Sequence, residues 1–203
     1  MRVAVALAFA ALLLLAGCTS RTLSSGNLYD DWNYCKDGTK LKLKIERARC
    51  LHNLAVLHAE EPEAVSICAD IRTAAIGSLG APFEWVDDAV VKNIRNDCYY
   101  EVAVRKAERQ AEDGTTGFGT GSAIADVCGN IKGTTDPDVD EESGNMMLRD
   151  RCFAEVALIL EDKGVCDRIS SDATIEKTEI DPGSGEPETK EISAIQNCKD
   201  QIP

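Results

Sequence analysis

The apolar positions of this chain fall into two patterns. A continuous run from Val3 to Gly17 carries no charge at all, and after it several segments place apolar among polar residues at helical spacing. Residues 40–59 suit a helix, with Leu43, Cys50, Leu54 and Leu57 close to one face. Pro62 is placed to open a second helix that ends near Gly80, and Pro82 to open a third and longest one reaching Glu112. Along that third helix Val86, Val90, Ile94, Cys98 and Val102 recur at every fourth position and predict a packed stripe. Shorter helices follow over 122–132 and 145–161, a turn at 162–164 leads into another at Cys166, and a last one covers 190–200. Residues 133–144 and 171–189 are rich in turn formers and poor in core residues, so they are expected to be loose and exposed. The fold class expected is all-α.

The cysteines give this helical pattern an internal order. Cys50, Cys98 and Cys152 are each followed by a large residue (Leu51, Tyr99, Phe153). Four positions on comes an apolar residue (Leu54, Val102, Val156) and then alanine (Ala55, Ala103, Ala157). An arginine stands near each start: Arg49, Arg95 and Arg151. A second submotif follows each copy, Cys68 with Ile71, Cys128 with Ile131 and Cys166 with Ile169, at gaps of 14 to 30 positions. The expectation is a short array of disulfide-stapled helical hairpins, each copy burying its core against its neighbour. The pattern resembles the cysteine-containing helical repeats, of the form RDxCYxxVA…DxxxCxxI, of exported archaeal and some bacterial proteins. The resemblance covers roughly residues 35–169, with a decayed last copy around Cys198, and is strongest from Arg149 through Cys166 to Ile169. It implies a helical repeat architecture and brings no catalytic residues.

The leader sets the compartment. Its 15 apolar and small residues follow one base, Arg2. A membrane-spanning helix needs about 20, so the run reads as a signal peptide over residues 1–17. Its end, Leu15-Ala16-Gly17-Cys18, resembles the bacterial lipobox, which implies cleavage before Cys18 and a lipid such as palmitate on the protein through that cysteine. Each buried lipid CH₂ contributes about 0.8 kcal/mol, so several acyl chains hold a protein firmly. Residues 18–34 are then the lipidated N-terminus and tether, and 35–203 the helical domain, held outside the cytoplasm on the cell membrane or, by resemblance, an outer membrane.

Eight cysteines remain after Cys18, an even number in an exported chain, which predicts four disulfides among 105 complete pairings. Disulfide Cα atoms lie within about 7 Å of each other. Cys152 sits about 14 Å of helical rise back from the end of its helix, and the sharp turn after that helix leaves Cys166 beside the far end. A partner in the following helix suits Cys166 better. Applied throughout, this gives Cys35–Cys50, Cys68–Cys98, Cys128–Cys152 and Cys166–Cys198. Pairing inside each copy is the alternative and would leave Cys35 to meet Cys198.

Charge and motif content narrow the chemistry. Removing Arg2 with the leader shifts the net charge from −13 to −14, which disfavours nucleic acid and anionic lipid as partners. Asp136, Asp138 and Asp140 alternate as at the start of a calcium-binding loop. Glu141 then stands where the sharp turn needs glycine and Met147 where the bidentate glutamate belongs, so this is a weak calcium candidate and a solvated acidic loop is the expectation. Gly117–Ser122 lacks the lysine and the preceding strand of a phosphate loop. His52 and His58 fall on opposite sides of a helix, and no serine has a nucleophile-elbow setting. No cofactor is implied. The expected function is a non-enzymatic binding or envelope-structural module with a protein or peptide partner. The competing readings are a small enzyme with a carboxylate-based site and a cell-surface coat.

Overall fold

The computed structural model describes residues 27–76, 88–114, 120–132, 147–180, 182–183 and 186–203. Within them the chain is mostly helical and is laced by four disulfides. The helices are α1 (Leu28–Lys36), α2 (Lys44–Leu57), α3 (Glu63–Ile76), α4 (Asp88–Glu112), α5 (Thr120–Cys128), α6 (Leu148–Leu160), α7 (Lys163–Cys166) and α8 (Ala194–Gln201). A two-stranded antiparallel ribbon, β1 (Thr174–Ile180) and β2 (Pro187–Ser193), precedes α8. Among the described residues no helix is long and apolar enough to cross a membrane. The leader, Cys18, Trp85, the Asp136–Asp140 loop and Gly117–Gly119 lie outside the described residues.

The long helices α2, α4 and α6 pack side by side, with α3, α5 and α7 against them. The positions that align in sequence are the positions that make the core. Leu51, Tyr99 and Phe153 are buried, as are Leu54, Val102 and Val156, and Ala55, Ala103 and Ala157. From the shorter helices, and from the residues just after the last two of them, come Cys68 with Ile71, Cys128 with Ile131 and Cys166 with Ile169.

Two expected stripes are rotated from where the spacing placed them. In α2 the buried arc is Arg47, Ala48, Leu51, Leu54 and Ala55, while Leu43 at the N-cap and Leu57 in the last turn are exposed. In α4 Val90 is exposed and Val91, Cys98, Tyr99, Val102, Ala103 and Ala107 form the core face. A strict spacing of four winds about 40° per step around a helix of 3.6 residues per turn, so Val90 has left the face that Cys98 and Val102 occupy.

Two segments depart from expectation more strongly. Leu28–Lys36 is helical, so the tether does not extend to residue 34: Leu28 is buried and Trp32 packs on the core. Asn27 starts this helix by accepting the Tyr29 N–H on its side chain (3.1 Å). The 171–189 stretch, read as loose, contains β1 and the first residues of β2. It is exposed as expected, but the chain is paired through seven residues on each side. The last helix accordingly starts at Ala194 rather than 190. An isolated two-stranded ribbon is marginal in water. This one is pinned at its base, where Ile175 packs on the core and Ala194 N–H bonds Ala173 O at 3.0 Å.

A buried polar clasp closes the second and third copies. Asn96, two residues before Cys98, is fully buried and meets the backbone of Lys132, four residues after Cys128: Nδ2 donates to Lys132 O (3.3 Å) and Lys132 N–H donates to Oδ1 (3.4 Å). Asp150, two residues before Cys152, is buried in the same way. Its Oδ1 accepts from Ser170 N–H (3.1 Å) and Oγ (3.0 Å), and Ser170 lies four residues after Cys166. In both copies the short helix has ended at its cysteine, so the N–H four residues on lacks a helical acceptor, and a side chain supplies one. In the first copy α3 continues to Ile76, past the corresponding position, and the residue aligned with Asn96 and Asp150 is Ala48.

Replacing Asp150 by alanine strands the part-buried N–H and hydroxyl of Ser170. The expected loss is about 1–3 kcal/mol of unfolding free energy, with Asp150→Asn costing less because it keeps an acceptor. Denaturant titration measures both, and a loss within about 0.5 kcal/mol, the range of an ordinary surface change, would contradict the clasp.

Candidate functional site

The four disulfides set the frame on which any site is built. They join Cys35 to Cys50, Cys68 to Cys98, Cys128 to Cys152 and Cys166 to Cys198, with Cα separations of 5.4, 5.7, 5.7 and 5.9 Å. Each of the two middle bonds ties the short helix of one copy to the long helix of the next. The clasps act within a copy and the disulfides between copies, so noncovalent and covalent links alternate along the array.

Neighbouring long helices also meet through a recurrent polar contact. His52, two residues after Cys50, lies 3.5 Å from Glu101, three residues after Cys98. Tyr100, two after Cys98, donates its hydroxyl to Glu155, three after Cys152. Arg151 stacks over the Tyr100 ring at 5.8 Å. The two histidines therefore serve different carboxylates: His58 Nδ1 is 3.0 Å from Glu61, on the turn into α3. Tyr99 is buried, as are its counterparts Leu51 and Phe153.

A cleft of about 220 Å³ opens where the end of α2 and its following turn meet the last turns of α4. Val56, Leu57 and Ala59 supply its apolar part, and Glu60, Arg105, Glu108, Arg109 and Glu112 its charged rim. Arg109 spans the rim, with Nε 2.7 Å from Glu60 and Nη1 3.2 Å from Glu112. Lys106 secures the turn from behind by donating to the carbonyls of Glu60 (3.4 Å) and Glu61 (3.2 Å). Burial lowers the Lys106 ammonium below its ordinary pKa. Exposed pairs such as Arg109 with Glu60 contribute little to stability, so a ligand carrying its own charges can replace them at small cost. Leu57, exposed and out of the core stripe, sits on this cleft.

A second cluster gathers on α1. Tyr29 and Trp32 stack at 6.2 Å, and the Lys36 ammonium lies 5.3 Å over the Trp32 ring. Asp70 of α3 accepts from both Trp32 Nε1 (3.0 Å) and Lys36 Nζ (2.9 Å), which docks α1 on the array. Trp32 thus joins the first helix to the core through both its ring and its indole N–H.

Sequence reading missed the clasp residues. It aligned arginines by proximity, as Arg49, Arg95 and Arg151. Fixed offsets from the cysteines align Arg47, Arg95 and Arg149 instead, followed by Ala48, Asn96 and Asp150. Arg47 Nη1 holds the loop before α2 through Leu41 O (2.7 Å) and Lys42 O (3.3 Å), and Arg149 Nη2 reaches Ser170 Oγ (2.6 Å). The glycine-rich stretch also has a packing role at its end. A Cβ on Gly121 would come within 2.5 Å of the Asp162 carboxylate at the α7 N-cap, so a side chain there would make that carboxylate shift.

Among the described residues no group of three histidine, cysteine, aspartate or glutamate side chains is gathered to hold a metal ion. No protein-family model, curated protein or solved structure matches the chain.

The Tyr100 phenol is pushed well above its ordinary pKa by burial, then by the hydrogen bond and charge of Glu155. Burial raises Tyr99 as well. The stability tied to the neutral phenols is complete below their unfolded value of 10.0 and is lost as the pH rises above it. Unfolding midpoints are expected to fall above pH 10, and Tyr100→Phe to shrink that fall. An unchanged alkaline slope in Tyr100→Phe would place the effect elsewhere.

Proposed function

We propose that the chain is a lipid-anchored, extracytoplasmic binding module whose cleft between α2 and α4 takes a mixed-charge peptide segment of an envelope partner. The carrying observation is the cysteine pattern. Eight cysteines from Cys35 to Cys198 are paired with one another, and the ninth, Cys18, ends the apolar leader in a lipobox-like setting. Multiple disulfides suit an oxidising compartment. The cleft supports the peptide reading because apolar Val56, Leu57 and Ala59 lie beside two guanidiniums and three carboxylates. Such a surface offers side-chain burial and both signs of charge to a backbone-sized ligand. The cysteine-repeat resemblance belongs to the same reading and makes the helical array the scaffold.

The anchor is tested by expressing the full chain and a Cys18→Ser variant with labelled palmitate in a host that processes lipoproteins. Wild type is expected to take up label and sediment with membranes, and Cys18→Ser to lose the label and appear in the soluble extracytoplasmic fraction. An unlabelled wild type would overturn the anchor. For the cleft, the soluble variant is titrated with a pool of peptides of alternating charge around an aliphatic residue. Arg109→Glu is expected to weaken the best of them at least tenfold, and equal binding by that variant would overturn the cleft as the site.

A further inference from the structure

The ribbon carries an arrangement that its own chain leaves unfavourable. Ile175-Glu-Lys-Thr-Glu179 is mirrored by Glu188-Thr-Lys-Glu-Ile192. Antiparallel pairing therefore sets like against like: Glu176 opposite Glu191, Lys177 opposite Lys190, Thr178 opposite Thr189 and Glu179 opposite Glu188. Like charges directly opposite one another destabilise a strand pair. Relief comes along each strand, where Lys177 pairs with Glu179 at 2.9 Å and Lys190 with Glu188 at 2.8 Å. The segment from Glu176 to Ile180 is exposed throughout, and Ile180 retains 73% of its surface in water. An outer strand edge of this kind presents backbone donors and acceptors to another chain.

We infer that the β1 edge pairs with the β1 edge of a second copy of this protein, antiparallel and centred on Thr178. Two copies of one strand joined in this way are related by a two-fold axis perpendicular to the ribbon. Opposed residues must then lie on the same face, so their numbers differ by an even amount. Only a few registers satisfy this. Centring on Glu176, Lys177 or Glu179 places two identical charges together on the axis. Centring on Thr178 instead sets Lys177 opposite the partner's Glu179 and Glu179 opposite the partner's Lys177, with threonine facing threonine. Lys177 and Glu179, each opposed by its own kind within the chain, thereby gain an opposite charge across the two-fold axis. β1 suits this better than β2, because β2 contains a proline, Pro187, and runs straight into α8.

The charge logic supplies its own control. Lys177→Glu turns the intrachain Lys177–Lys190 opposition into a favourable pair, which offsets the loss of the Lys177–Glu179 pair along the strand, so the ribbon is retained. The same change faces the partner's Glu179 with a glutamate and breaks the dimer. The double exchange Lys177→Glu with Glu179→Lys restores complementarity across the axis. Sedimentation velocity of the full chain in non-ionic detergent, over a series up to millimolar protein, reads the association. The expected result is a concentration-dependent dimer for wild type, at least tenfold weaker in Lys177→Glu and restored in the double exchange, with weakening at high salt. Far-ultraviolet circular dichroism of Lys177→Glu should match wild type. A monomer at every concentration, or a dimer that Lys177→Glu leaves unchanged, overturns the inference. Binding of an unrelated peptide at this edge without self-association overturns it equally.

Discussion

The geometry of the array depends on one covalent constraint: the bond between the short helix of one copy and the long helix of the next. A hairpin of two short helices buries little apolar surface alone. Helices of this length owe most of their stability to tertiary packing rather than to propensity. Tying Cys68 to Cys98 and Cys128 to Cys152 brings successive long helices into contact and fixes their relative height. That height is what places Glu101 beside His52 and Glu155 beside Tyr100. Each disulfide also restricts the unfolded chain, by about 2–4 kcal/mol for loops of ordinary length.

Within a copy the constraint is polar rather than covalent. Asn96 and Asp150 stand in for the helical carbonyl that α5 and α7 no longer provide, and each locks the chain emerging from a short helix onto the long helix before it. Where α3 runs on, Ala48 suffices. Whether that aligned position carries alanine or a polar clasp thus follows from how far the partner helix extends. The same frame leaves the turn after α2 propped against α4 by Lys106, which shapes the charged cleft.

Much of the fold was legible because cysteine spacing and helical periodicity speak to the same contacts. Leu51, Tyr99 and Phe153 are recognisable as core from their fixed offset to the cysteines, and they are buried. Spacing of four residues misled where taken alone, since it followed Val90 off the buried face of α4. The first helix was hidden by its composition: Leu28-Tyr-Asp-Asp-Trp-Asn-Tyr is mostly polar and is held by Asp70, a contact between distant segments. The ribbon was hidden for a related reason. Both of its faces are polar, so no apolar alternation marks it, and its signal was the mirrored order of Glu, Lys and Thr. The cleft arises where chain segments some fifty residues apart converge, as Arg109 and Glu60 do, and local pattern carries no trace of that.

The central claim is that covalent links run from copy to copy in consecutive order. Proteolysis of the oxidised chain under non-reducing conditions, at acidic pH to prevent exchange, followed by mass spectrometry of the linked peptides, tests it most directly. The account predicts four linked pairs, Cys35 with Cys50, Cys68 with Cys98, Cys128 with Cys152 and Cys166 with Cys198. A Cys35–Cys198 peptide, or linkage of Cys50 to Cys68 within the first copy, would contradict it.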